Sequence, residues 1–388
     1  MVVWKRDGAN WIVEQTLAGS GALYSDFGRD VTLEGDTLAV CEPYTNSVHV
    51  FLRSVTGWVE SQVLDAPLPL RGLLSLTGDT LVAGPRVFVR PPGGTFALAQ
   101  TLAASPIQSL DFDGLRIAIG QPFLGQGGRV LIYAKQSNGS FALEQTIAPA
   151  LQVNARFGAR VAIDQGTLAV IADNVTEPNP FLSVYQRSRA FSLSAVFDAP
   201  DDTFWTLEWV DVLGDRIALG DTSGWTGGAH MFRRVGGVWV ASPPVLIGSD
   251  VHMNGMSEGF GRSLALDANG LVVGAPGWHP GNAIEQYGAA YYFSFPITDP
   301  LEPAGLALLE ADILFGVTEG GGGVIVLPGS GPVPVDPEPF LRWTELTVAQ
   351  RAYVIERLTF AIELLTRDPS SQEGLAILHD PLAGAPSR

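Results

Sequence analysis

The side chains able to do chemistry are few. The 388-residue chain holds five histidines (His49, His230, His252, His279, His379), one cysteine (Cys41) and two lysines (Lys5, Lys135). It has no Gly-x-x-x-x-Gly-Lys-Ser/Thr loop to cradle a nucleotide phosphate, no Gly-x-Ser-x-Gly elbow for a nucleophilic serine and no His-Glu-x-x-His pair for zinc. The histidines lack ligand spacing. His49 and His230 lie in apolar stretches, "SVHVFLRS" and "AHMFRRV", and read as satisfied interior positions. Cys41 reads as a small buried hydrophobe, and alone it builds no intrachain disulfide. Asp198, Asp201 and Asp202 sit in "FDAPDDTFWTL", where solvated turn chemistry accounts for them. Asp111 and Asp113 bring two carboxylates where calcium takes about six to eight oxygens. The residues therefore predict no catalytic group, metal or cofactor, and a chain that is not an enzyme.

Aromatic residues recur instead in long, variable connecting segments: Tyr44, Phe123, Trp205, Trp225, Trp278 and Tyr287, with His279 adjacent and Asn174, Glu177 and Asn282 in equivalent segments. Exposed rings flanked by polar groups suit contacts with proteins or glycans; the alternative is that each ring folds back over its own strands. A net charge of −17 opposes binding to nucleic acid or to anionic lipid. No run reaches the ~18 apolar residues of a membrane span, so membrane insertion is not expected. The leading "MVVWKRDGANWIVEQTL" carries no apolar run of signal-peptide length.

The elements that position these residues repeat. "FGRDVTLEGDTLAV" (27–40), "FGARVAIDQGTLAV" (157–170) and "FGRSLALDANGLVVGAP" (260–276) are variants of one segment. Each unit opens with two short strands around a tight Gly-Asp or Asn-Gly turn, then a loop, then a hairpin such as "SVHVFLRS" with "GWVESQVL". Units begin near residues 27, 73, 110, 157, 208, 260 and 306, with spacings of 46, 37, 47, 51, 52 and 46 residues. Four strands alternating with period two, at this spacing, predict an all-β seven-bladed β-propeller. Residues 306–327 supply inner strands for the seventh blade and residues 2–17 its hairpin, so pairing of N- and C-terminal strands closes the ring.

Phe260-Gly261 with Gly274-Ala275-Pro276 resembles the FG-GAP repeat of integrin α-type propellers, and the likeness spans about residues 2–327. The motif decays elsewhere: Phe27-Gly28 pairs with "CEP" and Phe157-Gly158 with "IAD". The resemblance implies an adhesion-type propeller. It also implies Asp-rich calcium loops between first and second strands, and these are missing here. In such a repeat Phe wedges into the seam between blades while Gly permits close backbone approach.

Beyond the propeller (1–327) the sequence predicts a Pro-rich linker (328–343) and an α-helical segment (344–388). Thr347 and Gln350 form a capping box, and Tyr353, Ile355, Leu358, Ile362 and Leu365 give the helix an apolar surface. Such a helix docks on its own propeller or packs against other chains, with homo-oligomerisation through residues 344–366. The expected function is a non-enzymatic binding or structural propeller in a larger assembly. A virion component (phage tail, fibre or capsid-decorating protein) or a surface-adhesion protein fits best, with other protein chains or a cell-surface protein or glycan as partners. Virion or extracellular surface is the favoured location. Two alternatives are a lectin-like glycan-binding propeller and a propeller hydrolase or lyase, for which convergent carboxylates at the central channel mouth would be the sign.

Overall fold

Short runs rich in Val, Ile and aromatic residues, punctuated by Gly-Asp and Asn-Gly pairs, fold as antiparallel strands because branched side chains pack well on a pleated surface. The computed structural model describes residues 1–7, 10–22, 25–66, 73–125, 127–149, 156–173, 181–198, 207–222, 227–247, 259–278, 288–295, 314–317, 323–326, 332–335, 370–372 and 376–377. The chain resolves into two compact units: residues 1–229, 247–267 and 272–292, and residues 230–246, 268–271 and 293–388.

A leading hairpin is made of β1 (Val2–Asp7) and β2 (Asn10–Thr16). The first four-stranded sheet is β3 (Val31–Glu34), β4 (Thr37–Glu42), β5 (Ser47–Ser54) and β6 (Gly57–Asp65). The second is β7 (Leu74–Thr77), β8 (Thr80–Ala83), β9 (Arg86–Val89) and β10 (Ala97–Thr101). The third is β11 (Ser109–Phe112), β12 (Arg116–Gln121), β13 (Arg129–Lys135) and β14 (Phe141–Ile147). The fourth is β15 (Phe157–Asp164), β16 (Thr167–Ala172), β17 (Phe181–Arg187) and β18 (Phe191–Asp198). The fifth is β19 (Leu207–Leu213), β20 (Arg216–Asp221), β21 (Gly228–Val235) and β22 (Val238–Leu246). The sixth has three described strands, β23 (Ser263–Leu266), β24 (Gly270–Ala275) and β25 (Ala289–Ser294). In every sheet the strands lie side by side in chain order. This is a β-propeller of four-stranded blades.

First strands of successive sheets touch in the order β3, β7, β11, β15, β19, β23, so they form the inner layer. Second strands are buried throughout, as in β4, β8 and β16, whereas the fourth strands β6 and β14 are exposed along most of their length. The core therefore lies between sheets. Leu81, Val50 and Phe88 meet in one seam, and Ile132, Phe157 and Leu168 in another.

Two devices hold the seams. In four places a glutamine of an outer strand (β2, β6, β10 or β14) grips the backbone of the next sheet. Gln15, Gln62, Gln100 and Gln145 each donate to a carbonyl oxygen, of Trp58, Phe96, Phe141 and Phe191 respectively, at 2.7–2.9 Å. Each also accepts the N–H of that same residue at 2.7–2.9 Å. The second device is the Phe-Gly pair. Phe157 and Phe260 are buried, and each forms a parallel bridge to a glycine of the preceding sheet, Gly128 and Gly227. Gly158 has φ +89°, and a Cβ on Gly120 would sit 2.0 Å from the Gly158 carbonyl oxygen, so the two backbones approach as only glycine allows.

The expected count of seven blades is corrected to six among the described residues, and the expected closure is not seen. The hairpin β1–β2 stands as a two-stranded sheet, and β26 (Leu314–Val317) and β27 (Gly323–Val326) pair instead with β28 (Pro332–Val335). β28 comes from the stretch read as a linker. Pro332 and Pro334 stand at alternate positions and lack N–H groups, which suits β28 to the outer edge of a sheet and ends that sheet there. The helix predicted over 344–367, with Tyr353, Ile355, Leu358, Ile362 and Leu365, lies outside the described residues. Among the described residues no helix is long and apolar enough to cross a membrane.

Candidate functional site on the inner strands

An inner strand has one edge without a strand partner, so its N–H groups need other acceptors. Acidic side chains of the preceding sheet supply them. Asp30 accepts the N–H groups of Leu73 (2.8 Å) and Leu74 (2.7 Å) through Oδ2, and that of Val31 (2.9 Å) through Oδ1. Asp111 accepts the N–H groups of Ile163 and Phe112, both at 2.8 Å, and the Ser75 hydroxyl at 3.0 Å. Asp211 accepts those of Leu266 and Val212, both at 2.8 Å. Between these sites Thr32 accepts from Leu76 N–H, Asp164 from Gly214 N–H and Glu34 from Gly78 N–H. Each acid thus reaches forward onto the first strand of the next sheet.

Asp30, Asp111 and Asp211 keep part of their surface accessible while lying deep among protein atoms. That combination raises their proton affinity. Burial pushes Asp30 up to about 6 against the pull of the Leu74, Leu73 and Val31 N–H groups, with the charge of Asp111 adding to the rise. Burial pushes Asp211 up to about 7, helped by the charges of Asp111 and Asp164. Asp111 is raised chiefly by burial, with Asp113 adding repulsion. Carboxyls that gain and lose a proton near neutrality can act as general acid or base.

In the sequence Asp111 stands beside Asp113 as one of two carboxylates, too few for calcium. Asp113 instead accepts the N–H groups of Leu115 and Arg116 in its own turn, at 2.9 and 2.6 Å, and among the described residues no group of three His, Cys, Asp or Glu side chains is placed to hold a metal. Asp30 and Asp211 were missed because their partners lie 44 and 55 residues onward. The available signal was a polar residue recurring at one position of the first strands: Thr32, Ser75, Asp111 and Asp211.

Among the loop residues singled out, Tyr44 and Phe123 are each 61% exposed, and both follow a buried proline, Pro43 and Pro122. The Arg156 guanidinium lies 5.5 Å from the Phe123 ring centre. Trp278 is half-buried: its backbone N–H donates to Ala275 O at 3.2 Å, and its indole nitrogen is buried with no hydrogen-bond partner among the described residues. Asn174, Glu177, Trp205, Trp225, His279, Asn282 and Tyr287 lie outside the described residues.

His49 is buried and satisfied: Nε2 lies 2.8 Å from Glu42 and Nδ1 2.5 Å from Glu60. Glu42 is fully buried and also accepts from Ser20 Oγ at 2.9 Å and Thr45 Oγ1 at 3.1 Å. Of His49, Glu42 and Glu60, only Glu60 reaches solvent. Cys41 is buried, and burial with the nearby Asp30 charge pushes its thiol up to about 12, which leaves it unreactive.

No family model matches the chain, and no curated protein matches it. The FG-GAP resemblance therefore rests on the quoted residues alone. Solved structures do align. One is a protein from Lactobacillus plantarum at 11% identity and TM-score 0.49, covering 69% of this chain and 81% of that one. Another is a candidate 6-phosphogluconolactonase from Bacteroides uniformis at 12% identity and TM-score 0.45, with the same coverage. The expected virion or surface-adhesion role is withdrawn: neither structure is named as a virion or adhesion component. The expectation that the chain is not an enzyme is set aside with it. At such identities and scores the likeness transfers no activity to this chain.

Proposed function

We propose that this chain is a hydrolase that uses inner-strand carboxyls as its proton-transfer groups, acting on a small ester or lactone. The observation that carries the reading is the placement of Asp211. It stands partly exposed on the inner strand β19, its carboxyl held by the N–H groups of Leu266 and Val212. Burial lifts its proton affinity to about 7, as burial also raises Asp111 on β11 and Asp30 just before β3. A protonated carboxyl donates to the alkoxide oxygen as the ester C–O bond breaks. An ionised neighbour takes the proton of the attacking water, whose oxygen bonds to the carbonyl carbon. Acid and alcohol leave, and one proton passes from the former base to the former acid, which restores the starting state of both carboxyls. Positioned acid–base groups of this kind contribute about a hundredfold or more in rate.

A panel of neutral esters and lactones followed by pH-stat titration tests this. Asp211→Asn and Asp111→Asn should each lower kcat/KM by about a hundredfold, and the Asp211 variant should lose the limb of the pH profile near 7. No turnover above the uncatalysed rate, or unchanged kinetics in both variants, would overturn the reading. A second reading has its own observation: each of these carboxylates is gripped by N–H groups of the next sheet. If the acids serve only as pins between sheets, the same variants lose melting temperature and no activity is found.

A further inference from the structure

The inner strands β3, β7, β11, β15 and β19 share one register. Thr32, Ser75, Asp111, Ala162 and Asp211 occupy the same row, opposite Ala39, Val82, Ala118, Ala169 and Ala218 of their second strands. The row therefore places a hydroxyl in the sheet before Asp111 and only a methyl in the sheet before Asp211.

That difference reaches the carboxyls. Ser75 is buried, and its hydroxyl donates to Asp111 Oδ1 at 3.0 Å. Oδ1 also accepts the Phe112 N–H and Oδ2 that of Ile163, so among the described residues three donors hold Asp111. Two hold Asp211, Val212 on Oδ1 and Leu266 on Oδ2. Ala162 is buried at the position from which a third would come, and its side chain has no donor. A hydrogen bond to the ionised form lowers the proton affinity of a carboxyl, and charge makes such a bond stronger. The other charges that bear on these acids are themselves acidic: Asp113 acts on Asp111, Asp111 on Asp30 and Asp211, and Asp164 on Asp211. Arg160 of β15 is turned onto Glu208 at 3.0 Å. Burial and repulsion thus push Asp111 and Asp211 the same way, and the Ser75 hydroxyl sets them apart.

We infer that Ser75 is a positioning residue: its hydroxyl makes Asp111 the first of the two acids to ionise and leaves the proton on Asp211. The assignment of roles that follows rests on the hydrolase reading. Asp111 is the base that takes the proton of the attacking water, and Asp211 is the acid that gives its own to the departing alkoxide. The order of ionisation itself does not depend on that reading.

Substitutions test it from opposite sides. Ser75→Ala removes the donor from Asp111, and Ala162→Ser supplies one to Asp211. Ser75→Thr keeps the hydroxyl, and the row already takes a threonine at Thr32. Titration is followed by carboxyl NMR on the full chain labelled with carbon-13 aspartate, with Asp111→Asn and Asp211→Asn assigning the two signals. Ser75→Ala should raise the Asp111 midpoint by about one pH unit, and Ala162→Ser should lower that of Asp211 by about as much. Ser75→Thr should leave both in place. In the pH dependence of kcat/KM for an ester or lactone, Ser75→Ala should move the acidic limb up and Ala162→Ser the alkaline limb down. A merely structural Ser75 would lower the melting temperature and leave midpoints and limbs unmoved. Unmoved midpoints, or Asp211 ionising before Asp111 in the parent, overturn the inference whether or not esters are cleaved. Midpoints that move as expected without turnover of any ester or lactone overturn the hydrolase reading alone.

Discussion

Asp211 holds its proton to about pH 7 where an unfolded aspartate releases it near 3.8. A raised carboxyl stabilises the fold fully below the unfolded value, and that contribution is lost as pH climbs through the folded value. The difference corresponds to roughly 4 kcal/mol, so the ionised side chain weighs on the fold at pH 8. Asp211→Asn should therefore narrow the fall in melting temperature between pH 5 and pH 8, measured by calorimetry. Glu42 runs the other way. Its burial would raise it, but hydrogen bonds from Ser25, His49, Ser20 and Thr45 prevail and hold it at about 2. Its stabilisation is present above pH 4.5 and disappears as pH falls toward 2. Glu42→Gln should cost about 3 kcal/mol at pH 7 by chemical denaturation, with the gap to the parent closing near pH 2.

Between strands, small contacts decide whether sheets can meet. Removing a glutamine grip leaves one N–H and one carbonyl without their partner, so Gln100→Ala should lose about 2 kcal/mol in urea denaturation. Gly120→Ala should cost about 3 kcal/mol or more, because its methyl would strike the Gly158 carbonyl, which cannot rotate away. The strands themselves were legible in the sequence, since alternation and Gly-Asp turns are local signals. So was the seam role of Phe157 and Phe260. The glutamines were equally visible, in "WIVEQTL", "WVESQVL", "FALAQTL" and "FALEQTI", but a repeated polar residue does not announce what it grips. The inner acids were least legible: Asp30 and Leu74 are neighbours only after two sheets have folded and packed. Pro332 and Pro334 made residues 328–339 look like a spacer, while the pairing with β27 shows that edge strands tolerate proline.

At the scale of the molecule, the leading hairpin is structural. Met1, Val3 and Leu17 pack with Leu38, Val40, Phe51 and Trp58 of the first sheet, and Glu14 takes both the Trp58 indole N–H (3.0 Å) and the Arg53 guanidinium (2.7 Å). Removing residues 1–17 should lower the melting temperature by about 5 °C or more and increase binding of a hydrophobic dye. Unchanged melting would contradict the packing. With a net charge of −17, self-repulsion should make added salt stabilising at neutral pH.

The glutamine grip touches only peptide groups. Such recognition is indifferent to which amino acid occupies the gripped position, since every residue but proline offers the same N–H and C=O. Trp58 and Phe191 are accordingly held alike. Modules joined in this way are interchangeable parts, so a chimera in which the third sheet, residues 109–147, is replaced by another unit of equal strand register should still assemble, provided it brings its own glutamine in place of Gln145.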